Sequence, residues 1–126
     1  MDVEAFLDRM PFTDLLGIEV TEIGDGYAAG RVEMREELAW DAEGTTAHGG
    51  VTFALADTVG GAALLSQVEQ PVPTVDMRID YLEAGTGDLS AEAEVVRLGD
   101  DTAVVEVSVF CEGTHVADAR GVYKTG

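Results

Sequence analysis

Basic side chains are scarce in this chain. Lysine and arginine together number 7 against 25 aspartates and glutamates over 126 residues, the formal net charge is −18, and Lys124 is the only lysine. Phosphate backbones and acidic membrane surfaces are bound by basic patches. The composition therefore excludes nucleic acid and membrane as expected partners. The acids are scattered along the chain and form no tail, so a disordered acidic segment is not predicted.

A lysine-poor, dispersed acidic surface is typical of proteins from halophilic archaea that accumulate salt in the cell. Molar salt shortens the Debye length to about 3 Å and so screens the repulsion between like charges. We therefore hypothesise a halophilic archaeal source, and we expect the thermal stability to rise with the concentration of KCl.

Cysteine and targeting signals are also lacking. Cys111 is the only cysteine, which excludes an internal disulfide bond and suits a reducing cytoplasm. No basic residue stands near it in the sequence, so we expect a packing role and not a nucleophile. No basic segment followed by an apolar run is found, so no signal peptide is predicted. The expected location is the cytoplasm.

The length and the 46% content of hydrophobic residues predict a single domain over residues 1–126 with a substantial core. Hydrophobic periodicity and turn residues then predict the elements in order. They are a short helix over residues 2–10 that Pro11 ends, strands over 15–22 and 27–34, a loop over 36–47, a long helix over 47–65, and strands over 74–82, 89–95, 102–111 and 115–123.

The helix over residues 47–65 is the centre of the predicted fold. It is rich in glycine and alanine and carries one charge, Asp57. Its weak hydrophobicity favours a core helix over a membrane span. The four strands after it have short links, which predicts an antiparallel meander, and only this helix is long and apolar enough to cover the meander. The predicted class is α+β, with an antiparallel sheet wrapped around one long central helix.

Asp57 is the residue of this helix that most needs an explanation. Burying an unpaired carboxylate is costly, so such an acid is paired, hydrogen-bonded or placed at a working surface. At helical spacing it shares a face with Gly50, Phe53 and Gly61, and glycines allow a close approach to the backbone. The alternative is a structural acid that bonds a neighbouring strand or meets water.

Two segments carry a resemblance to a known family. Residues 48–50 (His-Gly-Gly) followed by 55–57 (Leu-Ala-Asp) resemble the hotdog-fold acyl-CoA thioesterases of the phenylacetate-pathway (PaaI-like) group. Residues 74–76 (Thr-Val-Asp) with 81–82 (Tyr-Leu) look like the strand that follows the helix in that family. The resemblance covers residues 17–124 and implies a hotdog fold and hydrolysis of an acyl-CoA thioester to a free acid and coenzyme A. It also implies a homodimer, often paired into a tetramer, with no metal and no cofactor beyond the coenzyme A of the substrate.

Four residues are the candidate catalytic groups. A helix N-terminus offers free amide N–H groups and the positive end of the helix dipole, so the N–H of Gly49 is the expected oxyanion donor. Asp57 is either the base that activates water or the nucleophile that forms a mixed anhydride. The resemblance implies that the Thr74 hydroxyl holds the water, although a structural role is as plausible. His48 either orients the thioester or fixes the start of the helix by bonding the backbone.

Five further residues are expected to contact the substrate. They are Trp40, Gly50, Phe53, Thr58 and Gly61. Trp40 and Phe53 are candidates for the lining of an acyl pocket, with plain packing as the alternative.

The spacing of the expected oxyanion donor and the expected base or nucleophile requires a dimer. Gly49 and Asp57 are eight residues apart, which is about 12 Å along a helix at 1.5 Å per residue. A reacting carbon must lie within about 3.5 Å of the attacking atom. One chain therefore cannot present both groups to one carbonyl, whereas two antiparallel helices across a twofold axis can.

The chain departs from the family pattern at two places. The family commonly has Asn or Gln six residues before the histidine, where this chain has Ala42 with Asp41 beside it. Either the loop over residues 40–46 carries a shifted substitute, or the second hydrogen bond is missing. The family's Arg-Pro after Tyr-Leu is Glu83-Ala84 here. Few basic candidates are then left for the phosphates of coenzyme A, namely Arg78, Arg97, Arg120 and Lys124.

Two other functions stay open at this point. A hotdog hydratase or dehydratase pairs an acid with a catalytic histidine in a different motif, and the position of His48 before two glycines argues against it. A non-catalytic acyl-CoA binding or sensor protein is the second, and the absence of Asn or Gln at Ala42 favours it.

Overall fold

The computed structural model describes all residues from Met1 to Gly126. The elements follow in the order α1 (Val3–Asp8), α2 (Pro11–Leu16), β1 (Ile18–Gly24), β2 (Tyr27–Val32), α3 (Gly49–Val68), β3 (Thr74–Tyr81), β4 (Leu89–Leu98), β5 (Thr102–Cys111) and β6 (Thr114–Lys124), with a single 3-10 turn at Glu36–Leu38 before α3. One six-stranded antiparallel sheet covers one long helix. The predicted class is therefore confirmed.

The N-terminal region differs from the prediction. The first helix ends at Asp8, and Pro11 does not end a helix but begins the second one, α2. Proline suits this place because its fixed φ matches the helix and its missing N–H would have no partner in the first turn. α2 then ends at Leu16, and the capping residue Gly17 adopts the left-handed conformation with φ 79°, as residues at helix C-termini commonly do. The first strand therefore begins at Ile18 and not at residue 15.

The strand order in the sheet is β1-β2-β4-β5-β6-β3. The predicted four-stranded meander is wrong in one respect, because only β4, β5 and β6 form a meander and β3 pairs with β6 at the far edge. The link over residues 82–88 is too long for a tight hairpin. It crosses the start of α3 instead, where the N–H of Ala47 donates to the carbonyl oxygen of Gly85 at 2.8 Å. β3 is thus an edge strand, and one of its sides pairs with no strand of the chain.

α3 forms the centre of the core, as predicted. It starts two residues later than predicted because Ala47 pairs with Ala39 in an isolated antiparallel bridge, and it runs on to Val68. By length and mean hydropathy (1.3) α3 could cross a membrane, but 61% of that stretch is buried inside the fold. Leu55 and Leu64 on α3 are fully buried. Apolar burial of this kind contributes about 1.5–3 kcal/mol for each large side chain.

Candidate active site

Asp57 is half-buried on α3, and one of its two carboxylate oxygens is held by two hydroxyl groups. Thr74 Oγ1 donates to Asp57 Oδ1 at 2.8 Å. The Tyr123 hydroxyl lies 3.0 Å from the same Oδ1 and 3.0 Å from the backbone oxygen of Asp57. No group of the chain donates to Oδ2. The carboxylate therefore has one oxygen that is held by the fold and one that is free to act on a ligand.

The sheet places the two hydroxyl groups side by side. Thr74 of β3 and Tyr123 of β6 are partners directly across the strand pair, and partners of this kind point to the same face of a sheet. The register of the pair shifts between Thr74 and Asp76, which leaves Val75 as the extra residue of a β-bulge. Bulges redirect neighbouring side chains and are frequent beside functional sites. The bulge and the edge position of β3 together set the Thr74 side chain against α3.

Tyr123 is a residue of this group that the sequence analysis did not select. Its side chain is almost completely buried, with 1% exposed. Burial, and after it the negative charge of Asp57, raise the pKa of the Tyr123 hydroxyl far above its ordinary value, so it stays a proton donor. The available signal was glycine at positions 60 and 121, since a Cβ atom at either position would be too close to the Tyr123 side chain.

The start of α3 forms the second group of predicted residues. His48 is the N-cap of the helix, and its Nδ1 accepts a hydrogen bond from the N–H of Gly50 at 2.8 Å. In the neutral ring the proton is then on Nε2. The carbonyl oxygen of His48 accepts from the N–H of Val51 at 2.9 Å. The N–H of Gly49 donates to no group of the chain, so this donor is available to a ligand.

Tyr81 closes over the first residue of α3. Its hydroxyl donates to the carbonyl oxygen of Gly49 at 2.8 Å. A Cβ atom at Gly49 would lie 3.1 Å from the ring of Tyr81, so the close packing of these two residues favours glycine at this position. Burial raises the pKa of the Tyr81 hydroxyl above its usual value. The ring therefore fixes the backbone that carries the free N–H.

Within one chain the residues around Asp57 and the residues at the start of α3 lie apart. Asp57 contacts Thr74 and Tyr123, whereas Gly49 contacts Tyr81. Both Asp57 and Gly49 belong to the same continuous helix, so their separation of eight residues corresponds to about 12 Å. The single chain therefore presents an acid at one place and a free amide at another.

The remaining predicted contact residues do not converge on one pocket of the chain. Trp40 is 67% exposed in the loop before α3, and Phe53 is half-buried on α3. Gly61 faces the ring of Tyr123. Thr58 lines a cavity of about 920 Å³ between the N-terminal helices and β1. Six carboxylates also line this cavity, from Glu4, Asp8, Asp14, Glu19, Glu22 and Asp25, so its walls do not suit an apolar acyl group.

At Asp41 and Ala42 the loop offers no free amide side chain in place of the family's Asn or Gln. The Asp41 carboxylate accepts from the Thr45 hydroxyl at 2.6 Å and from the Thr46 N–H at 2.8 Å. These bonds, with the one from the Thr45 side chain as the largest cause, lower the pKa of Asp41 below its usual value. Asp41 is therefore engaged in holding its own turn, and the exposed Ala42 has no polar side-chain atom.

Two of the four basic residues considered for binding the phosphates of coenzyme A already form ion pairs within the chain. Arg78 lies 3.1 Å from Asp80, and Arg120 lies 2.7 Å from Glu106. Arg97 and Lys124 make no ion pair within the chain. No group of three or more His, Cys, Asp or Glu residues is arranged to hold a metal ion.

Comparison with known proteins gives the family. The fold is that of the hotdog proteins, and the family model of the thioesterase superfamily matches residues 44–117. The "Putative esterase" of Halobacterium salinarum is 34% identical, over 97% of this chain and 89% of that protein. The "Medium/long-chain acyl-CoA thioesterase YigI" of Salmonella typhimurium is 26% identical, over 98% of this chain and 90% of that protein. A mutant of the phenylacetic acid degradation protein PaaI from Thermus thermophilus has a solved structure with a TM-score of 0.83 and 33% identity, covering 93% of this chain and 100% of that one. The chain belongs to the thioesterase superfamily.

Proposed function

We propose that this protein is an acyl-CoA thioesterase whose active site is formed between two copies of the chain. Asp57 of one copy acts as the base or the nucleophile, and the N–H of Gly49 of the other copy stabilises the oxyanion. The products are a free acid and coenzyme A. Family membership supports the hydrolase class, and the free Oδ2 of Asp57 and the free N–H of Gly49 support the assignment of the two roles.

The proposal of a dimer depends most on the edge strand β3. Thr74 at its start contacts Asp57, and Tyr81 at its end contacts Gly49. If β3 pairs antiparallel with β3 of a second copy, the two ends exchange places and Thr74 lies beside the other copy's Tyr81. Asp57 of each copy is thereby brought towards Gly49 of the other. The exposed side chains of Val75 and Tyr81 on this strand, and of Leu82 directly after it, support an interface there.

Thiol release from a panel of acyl-CoA substrates in molar KCl tests the activity. The panel includes small, aromatic, medium-chain and long-chain acyl groups, because the resemblance suggests the first two and the name of one relative the others. Asp57→Asn is expected to lower kcat by about 10²–10⁴-fold. Thiol release that is unchanged in this variant contradicts the role of Asp57.

Gly49→Pro tests the oxyanion donor. Proline removes the N–H but suits the first position of a helix, and His48 before it has ψ 137°, which is compatible with a following proline. We expect kcat to fall by about 10²–10³-fold. Gly49→Ala is the matched control, since it adds the same Cβ contact with Tyr81 but keeps the N–H.

A mixture of the two inactive variants tests the shared site. In a dimer of one Asp57→Asn copy and one Gly49→Pro copy, one of the two sites has both functional groups. Random pairing after joint refolding makes half of the dimers mixed, so about a quarter of the wild-type activity returns. A mixture that stays as inactive as its components contradicts a site built from two copies.

A non-catalytic acyl-CoA binding protein is the second candidate function. The observation that favours it is the loop at Ala42, where no amide side chain is present and Asp41 is engaged with Thr45 and Thr46. The same panel distinguishes the two functions. Tight binding of acyl-CoA without thiol release supports the binding protein, whereas turnover that depends on Asp57 supports the thioesterase.

A further inference from the structure

The Tyr123 side chain occupies a space that two glycines leave open. A Cβ atom at Gly60 of α3 would lie 2.6 Å from the Tyr123 hydroxyl oxygen, and a Cβ atom at Gly121 of β6 would lie 2.7 Å from the Tyr123 ring. Real Cβ atoms do not approach other atoms so closely, so neither position has room for a side chain while the ring stays in place. The ring is therefore enclosed by α3 on one side and by its own strand on the other.

The hydroxyl at the end of this enclosed ring reaches Asp57 twice, at Oδ1 and at the backbone oxygen, with 3.0 Å to each. A buried tyrosine hydroxyl needs a hydrogen-bond partner, and a backbone oxygen alone would satisfy that need. The contact with Oδ1 has a further effect, since it connects the Asp57 carboxylate to the rigid interior. The contact with Thr74, by contrast, comes from an exposed residue on an edge strand.

We propose that Tyr123 is a positioning residue that holds Asp57 Oδ1 so that Oδ2 alone faces the substrate. This inference rests on the proposed function, in which the Asp57 carboxylate is the reacting group. An attacking oxygen loses rate steeply when it is misplaced, and an error of 1 Å can cost a factor of about 100. Tyr123 does not touch the substrate and acts only through Asp57. Because the pKa of the Tyr123 hydroxyl is raised, this hydroxyl keeps its proton and remains a donor over the pH range of the assay.

Tyr123→Phe tests this role because phenylalanine keeps the ring and removes only the hydroxyl. Loss of one donor changes the surroundings of the carboxylate that accepted its hydrogen bond, so the carbon NMR chemical shift of the Asp57 side-chain carboxyl, measured at neutral pH, is expected to move. In the kinetic assay kcat is expected to fall by about tenfold or more with little change in KM.

Tyr27→Phe is the matched control. The Tyr27 hydroxyl is 3.4 Å from Glu92 and contacts no group of the candidate site, so neither the carboxyl signal of Asp57 nor kcat should change. An Asp57 carboxyl signal that is the same in Tyr123→Phe and in the wild type overturns the positioning role, whatever the activity. Absence of thiol release by the wild type overturns the proposed function separately, because the NMR measurement needs no turnover.

Discussion

The Tyr81 hydroxyl donates a hydrogen bond to the carbonyl oxygen of Gly49, and this bond ties the last residue of β3 to the first residue of α3. Thr74 ties the first residue of the same strand to the middle of α3 through Asp57. The edge strand β3 is thus attached to α3 at Asp57 and at Gly49, the two residues to which the reaction is assigned. Any displacement of β3 changes the surroundings of both groups together.

Tyr81→Phe is expected to loosen the start of α3. Loss of a partly exposed hydrogen bond should lower the free energy of unfolding by about 0.5–1 kcal/mol, seen as a lower urea midpoint with an unchanged m value. Because the Gly49 backbone is then less fixed, kcat should fall as well. Tyr27→Phe serves as the reference, since its bond of 3.4 Å is weaker. Equal midpoints for these two variants would show that the bond to Gly49 contributes nothing.

The central helix and its acid could be predicted from the sequence because their signal is local. A run of small apolar residues with one charge at Asp57 indicates a buried helix without any knowledge of its neighbours. The His-Gly-Gly segment marked the start of α3 for the same reason. The structure adds that His48 occupies the N-cap and bonds the N–H of Gly50, which was one of its two expected roles.

The place of β3 in the sheet could not be predicted in this way. Alternation identifies a strand but does not name its partner, and the pairing of Thr74 with Tyr123 depends on residues far apart in the chain. Tyr123 escaped selection for the same reason, since a tyrosine near the end of a strand resembles ordinary packing until its hydroxyl is seen beside Asp57. Pro11 was misinterpreted because proline both ends helices and begins them.

Gly60→Ala is expected to destabilise the protein although alanine favours helices. The new Cβ would lie 2.6 Å from the Tyr123 hydroxyl oxygen and 3.3 Å from Val107, and overpacking of this kind costs about 1–3 kcal/mol. Gly61→Ala is the matched control, because its nearest neighbour is the Tyr123 ring at 3.7 Å. There the helix propensity of alanine should add up to about 1 kcal/mol of stability.

The origin of this loss can be tested with a double-mutant cycle measured by urea unfolding. In a Tyr123→Phe background the clashing oxygen is absent, so Gly60→Ala should cost less by at least about 0.5 kcal/mol. Strict additivity of the two substitutions would refute a clash between residues 60 and 123.

The thermal midpoint is expected to rise by several degrees between 0.1 M and 2 M KCl, chosen as test concentrations. The net charge of −18 makes the folded chain repel itself, and salt screens this repulsion. Replacing three exposed acids that make no ion pair, Glu33, Glu83 and Glu94, by glutamine should reduce the salt dependence. A midpoint that does not rise with KCl contradicts the halophilic hypothesis. A rise of equal size in the triple variant would assign the effect to a cause other than charge.

Alkaline pH is expected to destabilise the fold through Tyr123. Its pKa is raised in the folded state from the ordinary value of 10.0 by burial, and further by Asp57. Below pH 10 both the folded and the unfolded chain keep this proton, so the full stability is present. Above pH 10 the unfolded chain loses the proton and the folded chain retains it, so the free energy of unfolding falls by about 1.4 kcal/mol per pH unit.

Urea unfolding between pH 9 and pH 11.5 measures this slope, and Tyr123→Phe isolates it. The raised pKa values of Tyr27 and Tyr81 contribute equally to both proteins and cancel in the comparison. The stability of the variant should therefore fall less steeply, so that the two curves approach each other as the pH rises. Parallel curves across this range would mean that the Tyr123 hydroxyl ionises as easily in the folded chain as in the unfolded one, and would contradict its burial against Asp57.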